Sequence, residues 1–295
     1  MQKQAVCVYG FIRTAQSLFA LKYMKEPNEL TSLCEESLSS IIGLALHLLK
    51  ILEFNREDSQ QLFSVCVYAR LVELACACNA LLEKNSLIGI PVLLRSMFEA
   101  SVDLSNLIKH PEYTKTMLAS FLKEKFRITK EVIKDDSNPF FESIKTNQNL
   151  NEVLQDTQQM LKQLTSEGHS PKSFRDRAEQ AGKINEYLSV YNTLCLDTHN
   201  NIRSLEDWHI DISSLGEYHT VIFKKEKSDL MNMLCAIPSM LLHQTKAIAD
   251  FLNVKEIEFK KYFEELYALQ QSVKEFFTAE QANERIKADG TEPRR

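Results

Sequence analysis

Apolar residues return at helical spacing along most of the chain. Positions 38, 41, 42, 45, 46, 48, 49 and 52 form one broad stripe and predict a first helix over Ser32 to Phe54, with Ser32 and Glu35 at capping-box spacing. After the polar turn Asn55 to Ser59, a second helix is expected from Gln60 to Lys84, where Ala75, Ala77 and Ala80 allow close packing. Asn85 and Ser86 open a third, Leu87 to Lys109, with Pro91 in its first turn, where a missing N–H matters least. It is the most apolar helix, which places it at the centre of the fold. An amphipathic fourth helix follows, Glu112 to Lys134, and a polar fifth, Leu150 to Thr165. Glu167 to Pro171 reads as a hinge loop. Ser173 opens a sixth helix, and Gly182 separates it from a seventh, Lys183 to Leu205. An eighth, Asp229 to Leu252, is expected to kink at Pro238, and a ninth runs from Lys255 to Phe277.

Three stretches break this pattern. Residues 1–23, with the strand-like run Val6 to Ile12, read as an extension ahead of a helical domain over 24–277. The polar residues 278–295 read as a flexible tail. Between Asp207 and Lys225, Trp208, Ile210 and Ile212 alternate, Gly216 intervenes, and Val221 to Phe223 follow; this predicts a small hairpin or an ordered loop. The fold class is all-α, one bundle of eight or nine helices with the third and seventh at its centre.

Composition sharpens this picture in a few places. Glycine and proline number only seven each, too few for the turns of an all-β fold. The net charge of −5 lowers the case for nucleic acid. The basic run Lys123, Lys125, Arg127, Lys130 and Lys134 is interleaved with Glu124 and Glu131, as on a solvated, salt-bridged face. Seven cysteines, an odd number set mostly in apolar runs, fit reduced thiols in the cytoplasm. Cys76 and Cys78 point to different faces of one helix and lack a second pair, so no zinc site is expected. The apolar stretch Ala5 to Leu21 carries Arg13, Thr14, Gln16 and Ser17, so no membrane span or membrane partner is expected. Glu206 and His209 supply one Glu-x-x-His element, short of the set a di-iron site needs, and no metal or cofactor is expected.

Candidate chemistry comes from polar residues set into apolar helices. Arg95, Glu99 and Asp103 are four apart and share a face of the third helix. A charge buried there needs a partner. The seventh helix carries Tyr187, Tyr191, Asp197, His199, Asn200, Asn201 and Arg203. Pairing the two polar rows satisfies both. It predicts Arg95 and Glu99 within ion-pair reach, with Tyr191 or His199 bonded to one of them. A carboxylate beside an imidazole is also a usual setting for acid–base work.

Arg95-Ser96-Met97-Phe98-Glu99, followed about a hundred residues later by Tyr187, Tyr191 and His199, resembles an uncharacterised bacterial domain-of-unknown-function family. That family pairs an Arg-x-x-x-Glu helix with a Tyr/Tyr helix ending in Ser/Thr-x-x-x-His. The resemblance spans roughly residues 60–215. It implies site residues rather than a reaction, and Cys195 stands where the family pattern has serine. Arg203 and His209 also fit the Arg-x(4–6)-His signature of the helical HEPN ribonucleases, with Ser204 where a polar residue such as Asn usually follows the arginine.

The expected function is a cytosolic bacterial protein with a polar pocket between the third and seventh helices. The pocket takes a ligand or a protein partner, or serves a homo-oligomer, in a stress or phage-defence setting. Arg95, Glu99, His199, Arg203 and His209 are its candidate catalytic residues, and Asp103, Tyr187, Tyr191, Asp197 and Asn200 its candidate ligand contacts. One alternative is a metal-independent HEPN-like ribonuclease acting on RNA; another is a structural interaction protein without a site.

Overall fold

The computed structural model describes residues 27–135, 137–145, 149–199, 201–212, 218–222 and 230–289. The run Val6 to Ile12 and the apolar stretch Ala5 to Leu21 lie outside them. The described residues are all-α apart from one small ribbon. Helices α1 (Pro27–Ile51), α2 (Ser59–Glu83), α3 (Ile90–Lys109) and α4 (Tyr113–Lys134) follow the hydrophobic pattern closely. The short α5 (Glu142–Lys145) precedes α6 (Leu150–Ser166) and α7 (Phe174–Ala181). Beyond these come α8 (Ile184–Glu186), a π-helical segment (Tyr187–Tyr191), α9 (Asn192–Thr198) and α10 (Ile202–His209). Strands β1 (Ile210–Ile212) and β2 (Tyr218–Val221) pair antiparallel, with Ile210 opposite Val221 and Asp211 opposite Thr220. The chain continues in α11 (Met231–Phe251) and α12 (Lys260–Asp289).

Several boundaries move. Helix α1 begins at Pro27, so Ser32 lies inside it rather than capping it. A 3-10 turn, Leu87–Gly89, precedes α3, and Ser86 makes no side-chain cap bond. The expected seventh helix is broken: His199 is extended at φ −114°, ψ 152°, and Asn201 caps a new helix by accepting from the Arg203 N–H. Helix α12 starts at Lys260 rather than Lys255 and continues to Asp289, because the stretch beyond Phe277 is rich in helix-forming Ala, Glu, Gln, Arg and Lys. Pro238 lies inside α11 without ending it.

The helices divide into two compact units. Unit 1 holds the described residues up to Glu53, Tyr68–Ser101, and those from Asn185 on. In it α1 packs on α11 and α12, and α11 on α12. Leu38, Ile41, Leu48, Leu71, Leu94 and Met97 are fully buried. Cys34 and Cys235 meet with their sulfurs 3.0 Å apart, and the buried Tyr68 hydroxyl donates to Thr245 Oγ1 at 3.1 Å. Unit 2 holds Phe54–Val67 and the described residues of Val102–Ile184. Its α4 packs on α6, and the end of α3 is tied to α7 by Asn106 Nδ2 to the Arg177 carbonyl (2.9 Å) and Lys109 Nζ to the Ala181 carbonyl (2.7 Å).

Helices α1 and α2 are long and apolar enough to cross a membrane by length and composition, a property that buried core helices share. Both contribute buried leucines to unit 1.

Candidate functional site

Within unit 1, four side chains form one hydrogen-bonded cluster. Arg95 and Glu99 stand one turn apart on α3, with Arg95 Nε 3.3 Å from Glu99 Oε1. The Tyr191 hydroxyl lies between them. It donates to Glu99 Oε1 at 2.8 Å and accepts from Arg95 Nη2 at 3.1 Å and Nε at 3.4 Å. Arg95 Nη1 donates to Thr198 Oγ1 at 3.0 Å. Thr198 in turn donates to carbonyls of its own helix, Cys195 at 3.0 Å and Leu194 at 3.2 Å. Each guanidinium nitrogen thus has a partner, and the pair carries no net charge.

Aromatic rings build the wall. Tyr187 stacks on Tyr191 with centroids 5.4 Å apart, and Phe98 packs on Tyr191 from α3 at 5.8 Å. Arg95 also lies over the Tyr191 ring, 5.2 Å from its centroid. Both tyrosines belong to the π-helical segment, whose wider turn is closed by the Asn192 N–H reaching the Tyr187 carbonyl five residues back. Such segments inside α-helices occur often at functional sites.

Burial pushes the Tyr191 hydroxyl up to about 12, with Glu99 adding to the shift and Arg95 opposing it. Arg95 is raised above its ordinary value, first by its bond to Tyr191. Tyr191 therefore stays a neutral donor to Glu99 at physiological pH.

Glu99 is asymmetric. Its ion pair and its bond from Tyr191 both fall on Oε1. Oε2 accepts no hydrogen bond among the described residues, and the side chain is 38% exposed.

Other candidates lie elsewhere. His199 is exposed at the end of α9 and makes no bond to Arg95 or Glu99, because the chain leaves helical geometry there. The acid–base pairing of His199 with Glu99 is thus not formed. Asp103 belongs to unit 2, where Arg177 and Tyr113 take its carboxylate. Asp197 accepts from Trp208 Nε1 at 3.3 Å and Ser204 Oγ at 3.5 Å, which fastens α10 to α9. Arg203 is exposed in the first turn of α10. His209, in its last turn, has Nδ1 3.4 Å from the Ile222 carbonyl. Six helical steps set these two about 120° apart around the axis. Asn200 lies outside the described residues. Thr198 was missed by sequence reasoning; seven positions after Tyr191, it sits where the same helix face returns. Among the described residues, no group of three or more His, Cys, Asp or Glu side chains is placed to hold a metal.

No curated protein and no solved structure matches the chain. A family model described as a family of unknown function, DUF5677, matches residues 61–218, more than half of the 295. That span contains Arg95, Glu99, Tyr187, Tyr191 and Thr198, and the chain belongs to the DUF5677 family.

Proposed function

We propose that the chain is a cytosolic bacterial binding protein that takes a small, hydrogen-bond-donating ligand at Glu99. The asymmetry of that carboxylate carries the reading: one oxygen is locked by Tyr191 and Arg95, and the other is open on a partly exposed side chain. The arginine does not make this an anion site, because its charge is cancelled and its nitrogens are engaged. An open acceptor beside stacked tyrosines suits an amine or another cationic N–H group, which gains from the carboxylate and from an aromatic face. The cytosolic setting rests on the reduced thiols, six of them free among the described residues. A stress or phage-defence role rests on the family resemblance.

The test is a melting-temperature screen of the full chain against spermidine, agmatine, glucosamine, adenosine and acetate. One or more of the four donor-bearing compounds is expected to raise the melting temperature of the wild type, with no rise in Glu99→Gln, which puts an amide N–H at the open position. Stabilisation by acetate alone, or equal shifts in wild type and variant, would count against the reading.

A further inference from the structure

Within unit 1, helices α1 and α11 meet through sulfur, at residues the Glu99 site does not use. Cys34 of α1 and Cys235 of α11 are buried with their Sγ atoms 3.0 Å apart. Cys34 Sγ also lies 3.9 Å from Met231 Sδ, one turn before Cys235 on α11. Carbon atoms, which are smaller than sulfur, rest about 3.5–4.0 Å apart in ordinary contact. The two thiols are therefore closer than packing alone brings them, as an S–H···S bond allows. A disulfide bond, at about 2.05 Å, asks for roughly 1 Å more of approach.

The surroundings keep the pair reduced under ordinary conditions. Leu30 and Leu38 flank Cys34 one turn to either side, and all three are 1% exposed. The Cys34 thiol beside it, and then burial, hold Cys235 above the ordinary thiol value. Little thiolate forms at pH 7, and the thiolate is the reactive form. Cys235 is 9% exposed against 1% for Cys34, so a small oxidant meets Cys235 first.

We propose that Cys34 and Cys235 form a modification site, at which a peroxide converts the thiol pair into a disulfide that locks α1 to α11. The Cys235 thiolate attacks one peroxide oxygen and the O–O bond breaks. Cys235 becomes a sulfenic acid, and the other oxygen leaves as hydroxide, which takes up the thiol proton to give water. The Cys34 sulfur then attacks the Cys235 sulfur. The S–O bond breaks, and its hydroxide leaves as a second water with the Cys34 proton. Two thiols and one peroxide thus give one disulfide and two waters, with two electrons passing from sulfur to oxygen. The cysteines are 201 positions apart, and closing so long a loop takes much freedom from the unfolded chain.

The test exposes the reduced full chain to hydrogen peroxide at pH 7 and pH 9. Remaining thiols are alkylated in denaturant, and the monomer from a non-reducing gel is mapped by mass spectrometry. The expected product is a peptide pair joined through Cys34 and Cys235, formed faster at pH 9. The oxidised chain is expected to melt about 5–10 °C above the reduced one. Cys34→Ser is expected to show no such rise; Cys235→Ala serves as a second variant should the first not fold. Recovery of Cys34 and Cys235 as alkylated thiols after the exposed Cys66 has oxidised overturns the proposal. So does a bond from either to another cysteine in place of each other, or a joined chain that melts no higher than the reduced one.

Discussion

Tyr191 and Tyr113 hold equivalent places in the two units. Each phenol donates to a carboxylate that is ion-paired with an arginine, Glu99 with Arg95 in one and Asp103 with Arg177 in the other. The difference is exposure, 38% for the Glu99 side chain and 17% for Asp103. Breaking the more buried pair is therefore the more costly. Asp103→Ala is expected to lose about 2–4 kcal/mol in chemical denaturation, while Glu99→Gln, which keeps an acceptor for Tyr191, loses under about 1 kcal/mol. Equal losses would contradict this ranking. Tyr191→Phe removes a hydroxyl bonded to two charged groups and should cost about 1–2 kcal/mol. It should also remove a titration. The Tyr191 hydroxyl is raised to about 12 from an ordinary value near 10, so its neutral form is favoured in the folded state. That contribution is whole below about pH 10 and is lost as pH rises towards 12. Stability of the wild type should fall across this window, and less steeply in Tyr191→Phe; parallel profiles would refute the assignment.

At this scale the sequence was legible where spacing alone decides. Arg95 and Glu99 are one turn apart on any helix, and a tyrosine row on another apolar helix is their natural partner. Thr198 was not legible, because threonine in a helix more often bonds its own carbonyls, which it also does here. His199 was misplaced because a helix end was needed to turn it outward.

The ends of α7 were read well, because Ser173 and Gly182 mark them, whereas Ser32 and Ser86 cap no helix. Gly182 closes α7 in the left-handed region at φ +77°, with the Ser173–Asp176 capping box at the other end of that helix. A Cβ added at Gly182 would meet only Lys109 Nζ at 3.9 Å, so Gly182→Ala carries backbone strain alone. It should lose about 1 kcal/mol by denaturant melt. Gly43, inside α1, has open space around it, so Gly43→Ala should stabilise by about 0.5–1 kcal/mol. The opposite signs follow from φ, and matching signs would show that the two backbones are alike. The π-helical segment and the break at His199 left no trace in the hydrophobic periodicity, because both are changes of hydrogen-bond register within a continuing apolar pattern. Asn201 was visible as a polar residue but not as the cap that starts a new helix.

Over the whole molecule, the all-α class followed from few glycines, few prolines and long amphipathic runs, and the alternation near Ile210 marked the one ribbon described. The division into two units was not legible. Helices α2 and α3 each contribute residues to both units, so no linker composition signals the boundary. Asp103 was grouped with Arg95 and Glu99 for this reason, since a helical row does not reveal where one core gives way to another. The polar sequence beyond Phe277 read as a tail because amphipathicity fades there, although helix propensity does not. The functional reading stands on one carboxylate oxygen in unit 1, and calorimetric titration of wild type and Glu99→Gln with spermidine and agmatine tests it most directly. Saturable binding of one or both amines to the wild type, weakened tenfold or more in a variant of near-native stability, is the predicted result. Equal binding to both proteins, or no binding of either amine to a wild type that glucosamine and adenosine also fail to stabilise, would contradict it.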